Sequence, residues 1–291
     1  MVASIRPRRS LLYMPGSNAR AIAKGRSLGA DGLILDLEDS VLPDAKNMAR
    51  AQVVDALREG GYGHRELIVR VNSLNTVWGE EDIVAVSTSG ANAILLPKVD
   101  NAAEIQQAVK IMIASNAPDD LAIWAMMESP LGILHSEEIA FSSSRMKCLV
   151  LGTSDLARDL HCSHTIDRLP MLSSIELCIL SARAAGIAVI DGVFLDLNDD
   201  EGFKYSCTQG LELGFDGKTL IHPKTIEIAN SVYAPSRTEL EWSHAVIKAH
   251  NRAAEKGQGV TILEGKLIEN LHVRNAKRLL ELNKIISKRK S

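Results

Sequence analysis

The chain has 291 residues, 46% of them hydrophobic and 4% aromatic, with 33 Lys and Arg against 36 Asp and Glu for a formal charge of −3. That length supplies one large barrel or two ordinary domains, and a charged fraction of 24% beside abundant Ala, Leu and Ile excludes a disordered or collagen-like chain. The near-neutral balance makes no electrostatic case for nucleic acid, and no apolar run reaches the roughly 18–20 residues of a membrane span.

In chain order, the opening MVASIRPRRSLLYMPG is basic but lacks an adequate apolar stretch before Pro15-Gly16, so it reads as neither signal peptide nor anchor. Short β-branched and Leu-rich runs then recur: SLLYM at 10–14, GLILDLE at 32–38, LIVRVN at 67–72, AILLPK at 93–98, AIWAMME at 122–128, CLVLGT at 148–153, AVIDGVF at 188–194 and FDGKTLI at 215–221. Most are continuously apolar and end in a polar residue, the pattern of parallel strands buried on both faces. Segments with helical spacing lie between them, such as 101–115, where Ile105, Ala108, Val109 and Met112 share a face. Asn18 and Gly29 bracket the first such segment as cap candidates. Eight strand–helix repeats predict a (β/α)₈ TIM barrel over residues 8–226, with a doubly wound open sheet as the structural rival.

After Pro223 the pattern changes: a helix over 237–256, a loop or short hairpin over 257–270 and a last helix over 272–288 make residues 227–291 a C-terminal helical extension. The four cysteines, Cys148, Cys162, Cys178 and Cys207, form no C-x-x-C pair and lie in or near apolar segments, which fits reduced thiols and a cytoplasmic protein.

In a barrel, strand ends converge on one mouth, and here they carry Asp36, Glu38 and Asp39, then Arg70 and Asn72, Lys98, Glu128, Ser154 with Asp155, and Asp191. Glu128 and Asp155 come from neighbouring strands and can share one hard divalent cation whose other ligands are water and substrate oxygens. Arg70 has the fork that matches a carboxylate or carbonyl oxygen. Each residue also has a plainer account. A strand-end carboxylate is commonly a helix cap or a rim ion-pair partner. His222 can be a satisfied structural histidine, and Trp78 reads as packing.

Taken together, LLYMPGS (11–17), GLILDLEDSV…AK (32–46), RVNSLNTVWGEEDI (70–83), ILLPKV (94–99), MMESPLGI (126–133), LGTSDLARDL (151–160), ARAAGIAVIDGVFLDLNDDEGF (182–203) and LGFDGKTLIHPKTI (213–226) resemble the citrate lyase β-subunit-like group of the HpcH/HpaI aldolase superfamily. The resemblance implies a modified TIM barrel, a homotrimer or hexamer, that uses Mg²⁺, with Mn²⁺ as a second candidate, to make or break a carbon–carbon bond in 3-hydroxyacyl thioesters. It assigns the metal to Glu128 and Asp155, and contact with the substrate and its thioester oxygen to Arg70. Tyr13, Arg20, Lys24, Lys46 and Arg50 fall where relatives contact coenzyme A, and Ile221 and His222 fall in a further substrate segment. Relatives carry an aspartate in a G-K-M-I-D segment, delivered to a neighbouring subunit as the acid/base group. This chain reads GKLIEN, with Glu269 at that position and one methylene more.

Citramalyl-CoA, cleaved to acetyl-CoA and pyruvate, stands first among the expected substrates, ahead of malyl-CoA. A citryl thioester on an acyl-carrier protein, in a complex with citrate lyase α and carrier subunits, is the alternative. A non-catalytic scaffold or nucleic-acid-binding barrel is the rival from another class, resting on seven Lys and Arg to one Glu over 274–291. That segment has no aromatic residue on a chain that is acidic overall, so no nucleic acid and no membrane are expected as partners.

Overall fold

Strands buried on both faces are filled mainly by apolar side chains, and the recurrent runs provide them. The computed structural model describes residues 6–255, 257 and 259–290. It contains β1 (Ser10–Pro15), β2 (Gly32–Asp36), β3 (Glu66–Arg70), β4 (Ala93–Leu96), β5 (Ala122–Met127), β6 (Met146–Leu151), β7 (Ala188–Asp191) and β8 (Gly217–Leu220). The strands pair in parallel in sequence order, and β8 returns to β1 to close the barrel. The expected (β/α)₈ barrel is the architecture found, and the open sheet is excluded.

Side chains alternate along each strand, which creates two cores. Leu11, Ile34, Ile68, Leu95, Trp124 and Ile190 fill the lumen, while Leu12, Leu33, Val69, Ile94, Leu149 and Val189 meet the surrounding helices. The same parity decides what each strand end presents. Asp36 lies two residues after Ile34 and Arg70 two after Ile68, so both aim into the lumen, and the β2–β3 register sets them opposite one another. Asp191 lies one residue after Ile190 and therefore faces outward. It is fully buried there and neutralised by Lys218 Nζ at 2.7 Å and Arg168 Nη1 at 2.6 Å. The expectation that Asp191 joins the other strand-end groups at the mouth is corrected by this one-residue offset.

At the N-terminal end of the strands, Arg8 donates through Nε and Nη2 to the two oxygens of Glu66 at 2.7 and 2.8 Å, with its guanidinium 4.9 Å from the Trp124 ring centre. Arg9 forms the same fork with Asp31 at 2.8 and 2.9 Å.

Asn18 caps the first helix, Ala19–Lys24, by accepting from the Ala21 amide at 3.0 Å. Gly29 is not its cap, because the chain tightens into a 3₁₀ turn over Gly25–Ser27 that ends at Leu28. The helix Ala102–Ala114 starts at Asn101 and buries Ile105, Ala108 and Met112, with Val109 half-buried.

Contacts divide the chain into a barrel unit, Arg8–Tyr233, and a second unit made of the described residues before Arg8 and those from Ala234 onward. The barrel unit runs past residue 226 because the helix Ile226–Val232 sinks Ile226 and Ala229 into the strand–helix core. In the second unit a capping box of Ser236 and Glu239 starts the helix Arg237–Ala254. The hairpin of β9 (Thr261–Leu263) and β10 (Lys266–Ile268) turns at Glu264-Gly265, where both residues have positive φ, 49° and 77°, as a tight hairpin turn demands. The helix Asn270–Lys290 follows, and Val246, Ile268, Val273 and Ala276 form this unit's own small core. Among the described residues no helix is long and apolar enough to cross a membrane.

Candidate active site

A cavity of about 450 Å³ opens at the C-terminal ends of the strands. Its lining brings together Tyr13, Asp36, Arg70, Glu128, Asp155 and Ile221 from the expected set, with Asp39 and Ser154 at the rim. Gly152, Thr153, Val193 and Thr219 are among the other lining residues.

Glu128 follows the end of β5 and is only 2% exposed. Its Oε1 accepts the Lys98 amide at 2.7 Å. Lys98 itself sits at a φ of 50°, a left-handed conformation that a lysine adopts at a cost and that recurs at functional sites. Burial, reinforced by the nearby Glu38 charge, raises the Glu128 carboxyl to about 7. Oε2 faces Gly152, where a Cβ would come within 2.4 Å, so the absence of a side chain at 152 keeps that oxygen accessible. Asp155 lies in the first turn of the helix Thr153–Asp159 and pairs with Arg158 at 2.6 Å. The pair is solvent-screened and weak, so Asp155 is easily released to another cation.

A desolvated carboxylate without a dedicated counter-charge, and a second carboxylate from the adjacent strand end, form a hard oxygen donor set. The described residues contain no group of three or more His, Cys, Asp or Glu that could hold a metal ion. Two carboxylates fit Mg²⁺, which keeps several water or substrate ligands, and do not fit an all-protein Zn²⁺ site.

Arg70 is not a free fork. Its Nε and Nη2 bond the two Asp36 oxygens at 2.6 and 2.7 Å, and Nη1 lies 3.1 Å from Glu38 Oε2. The guanidinium is 4.9 Å from the Tyr13 ring centre. Burial works to raise Asp36, but the Arg70 bonds and charge hold its carboxyl below the usual range. Burial raises Glu38, offset in part by Arg70 and by Lys98 Nζ at 2.5 Å. Tyr13 is raised by burial too, and its hydroxyl points at Met126 Sδ, 3.4 Å away.

The residues expected to meet coenzyme A separate into two kinds. Arg20 and Lys24 are exposed on the first helix, and their cationic heads have no ion-pair partner among the described residues. Lys46 is buried, with Nζ donating to the Leu37 and Glu38 carbonyls at 2.7 Å each. Arg50 bonds Asp82 at 2.6 Å and Glu81 at 2.7 Å. Both are committed inside the chain. His222 lies outside the cavity lining, and its Nδ1 accepts the Lys224 amide at 3.2 Å. Asn72 bonds the Leu37 carbonyl at 2.9 Å and Asp82 at 2.6 Å, holding the loop after β3. Trp78 is half-buried, with Lys46 Nζ 5.5 Å from its ring centre. Glu269 belongs to the second unit, is exposed, and donates its amide to His272 Nδ1 at 3.1 Å. The Lys98–Glu38 pair and Thr219 were not singled out as a unit by the sequence. The LLPK string marks Lys98, but its pairing needs the barrel closed.

The family model described as HpcH/HpaI aldolase/citrate lyase matches residues 9–223. A (3S)-malyl-CoA thioesterase of Cereibacter sphaeroides is 45% identical over 280 residues, 96% of each chain. The citrate lyase subunit beta of Escherichia coli is 36% identical over 280 residues, covering 94% of this chain and 93% of that one. Among solved structures, CitE from Mycobacterium tuberculosis in complex with magnesium, acetoacetate and coenzyme A superimposes with a TM-score of 0.76 at 25% identity, over 94% of this chain and 97% of that one.

Proposed function

Because this chain belongs to the HpcH/HpaI aldolase/citrate lyase family, we propose that it is a Mg²⁺-dependent carbon–carbon lyase of 3-hydroxyacyl-CoA thioesters. The observation that carries this reading is the buried Glu128, held at about 7 by desolvation, in the same cavity as Asp155 and Arg70. Glu128 and Asp155 would hold the metal. Bound there, Mg²⁺ supplies Lewis-acid polarisation and orientation of the 2-oxoacid oxygens.

In the cleavage direction the substrate's 3-hydroxyl gives up its proton, the neighbouring C–C bond breaks, and its electron pair passes into the thioester enolate. The enolate is then protonated to the acetyl thioester. Asp36 fixes the Arg70 guanidinium plane through Nε and Nη2, which leaves the Nη1 edge to exchange Glu38 for the enolate oxygen. Of the four lining carboxylates, Glu128 and Asp155 would hold the metal, Asp36 is bonded to Arg70, and Asp39 is largely exposed with Lys98 Nζ 3.5 Å away. As the family resemblance implies, we assign proton transfer to Glu269 of a second copy of this chain, within a homotrimer or hexamer. Arg20 and Lys24 offer cations to the coenzyme A phosphates.

Citramalyl-CoA is the proposed substrate, with malyl-CoA beside it. A second reading, hydrolysis of malyl-CoA to malate and free coenzyme A, is favoured by the 45% identical thioesterase. One assay separates them. The purified protein with Mg²⁺ is offered citramalyl-, malyl- and citryl-CoA while 2-oxoacid, acetyl-CoA and free thiol are followed. Release of 2-oxoacid in step with acetyl-CoA supports the lyase, and free thiol without 2-oxoacid supports the thioesterase. Silence on all three, with turnover restored by a citryl-loaded acyl-carrier protein and a citrate lyase α subunit, transfers the chain to a citrate lyase complex.

A further inference from the structure

We propose that Lys98 is a positioning residue that keeps Glu38 from closing on Arg70, so that the Nη1 edge of Arg70 is open to the substrate oxygen. Glu38 stands two residues beyond β2 and Lys98 two beyond β4, and their ion pair spans the end of β3, where Arg70 is the last residue. By strand alternation residue 98 shares the outward parity of Ile94 and Leu96. Its left-handed backbone, at a φ of 50°, breaks that alternation. The amide meets Glu128 Oε1 at 2.7 Å, while the ammonium crosses to Glu38 Oε1 at 2.5 Å with Asp39 3.5 Å away.

The two oxygens of Glu38 are held differently. Oε1 has the ammonium of Lys98. Oε2 lies 3.1 Å from Arg70 Nη1 as an ion pair, yet it is buried and makes no hydrogen bond. Asp36, by contrast, accepts full hydrogen bonds from Arg70 Nε and Nη2. Glu38 is only 5% exposed, and a carboxylate that deeply placed needs a cation. With Lys98 in place, Glu38 keeps one when a substrate oxygen takes Nη1. Without it, Arg70 is the one remaining cation paired with that carboxylate among the described residues. Glu38 then bonds Nη1, and a substrate oxygen has to displace it. This deepens the role given to Arg70 above and rests on it. A lysine that served only a rim ion pair would need no strained backbone, whereas here one residue sets Glu128 through its amide and Glu38 through its side chain.

The test is nuclear magnetic resonance of the full chain carrying guanidinium-¹⁵N arginine, with the Arg70 signals identified by their loss in Arg70→Lys. Lys98→Gly removes the ammonium and adopts the left-handed backbone without steric cost, so the amide to Glu128 stays. Lys98→Asn, which also tolerates that conformation, takes its place if the glycine variant does not fold. Either variant is expected to move the Arg70 Nη1 protons downfield as Glu38 bonds them, and adding Glu38→Gln is expected to reverse the move. In steady-state kinetics Lys98→Gly is expected to lose about 10²-fold in kcat/KM, while Lys98→Arg, which keeps the charge, stays within a few-fold of wild type. Methylammonium should restore part of the loss, because the Lys98 side chain is 42% exposed and the space it vacates is open to solvent. An ion pair that only braced the fold would lower the melting temperature without moving the Arg70 signals or answering to methylammonium. Arg70 signals that stay in place in the Lys98 variants, or a shift that persists with Glu38→Gln, overturn the proposal. So does a wild-type rate in Lys98→Gly, or a loss that neither Lys98→Arg nor methylammonium relieves. The resonance measurement needs no turnover, so a wild type inert toward every thioester sinks the lyase reading alone and the Arg70 signals still decide the role of Lys98.

Discussion

The two ends of the barrel treat buried charge in opposite ways. At the floor every buried carboxylate has its own cation: Glu66 takes both arms of the Arg8 fork and Asp31 both arms of Arg9. At the mouth, Glu128 is as deeply buried, yet its one close hydrogen bond is the Lys98 amide, and the charge nearest it in effect is another carboxylate, Glu38. A paired charge closes a structure. A desolvated, uncompensated one is poised to take a proton or a cation, which is why such groups mark sites of chemistry.

The sharpest way to break this comparison is to remove one carboxyl from each end. Glu128→Gln is expected to lower Mg²⁺-dependent turnover by about 10³-fold or more while the melting temperature holds or rises, because a buried charge is removed. Glu66→Gln is expected to leave activity in the folded fraction but to lose about 3 kcal/mol of stability, since the Arg8 guanidinium is stranded. Chemical denaturation and steady-state kinetics on the same preparations read both effects. The comparison fails if the two variants behave alike.

The next effect is on pH. Burial sets Glu128 at about 7, above its ordinary 4.5, so the folded protein binds the proton more tightly than the unfolded chain. That contribution to stability is fully present below about 4.5 and is lost as pH rises through about 7, an amount of about 3 kcal/mol. The wild type without metal should therefore lose melting temperature relative to Glu128→Gln between these limits, and added Mg²⁺ should restore it. Because the metal competes with that proton, its apparent affinity should fall about tenfold per pH unit below 7. Melting curves with and without Mg²⁺ across the range check the sign.

The smallest effects separate the free cations from the committed ones. Lys24→Glu, on an exposed side chain, should raise KM for a coenzyme A thioester a few-fold with kcat and stability unchanged, and the effect should shrink in salt. Arg50→Ala should instead cost stability, because it strands the buried Asp82, and should leave KM nearly unchanged.

Much of this was legible in the residues. Strands buried on both faces read as apolar runs whatever they pair with, so each of the eight runs overlaps an observed strand. Glu128, Asp155 and Arg70 could be placed at one mouth because strand ends of a barrel converge. What a strand end does with its charge was not legible, because it depends on parity and register. Asp191 sits one residue beyond the last inward position and turns to Lys218 and Arg168. Lys46 and Arg50 fall where the family resemblance implies contact with coenzyme A, but the closed fold brings carbonyls and Asp82 to them. The Arg70 fork was visible, and that Asp36 fills it follows from a β2–β3 register that no spacing along the chain reveals.

The central claim is that Glu128 and Asp155 together hold the divalent cation that the chemistry uses. Calorimetric titration of the purified protein with Mg²⁺ at pH 8 tests it most directly, with Glu128→Gln and Asp155→Asn run beside the wild type. The account predicts about one equivalent bound by the wild type and at least a tenfold loss of affinity in each variant, with circular dichroism unchanged. Binding of Mg²⁺ by Glu128→Gln with wild-type affinity would contradict it.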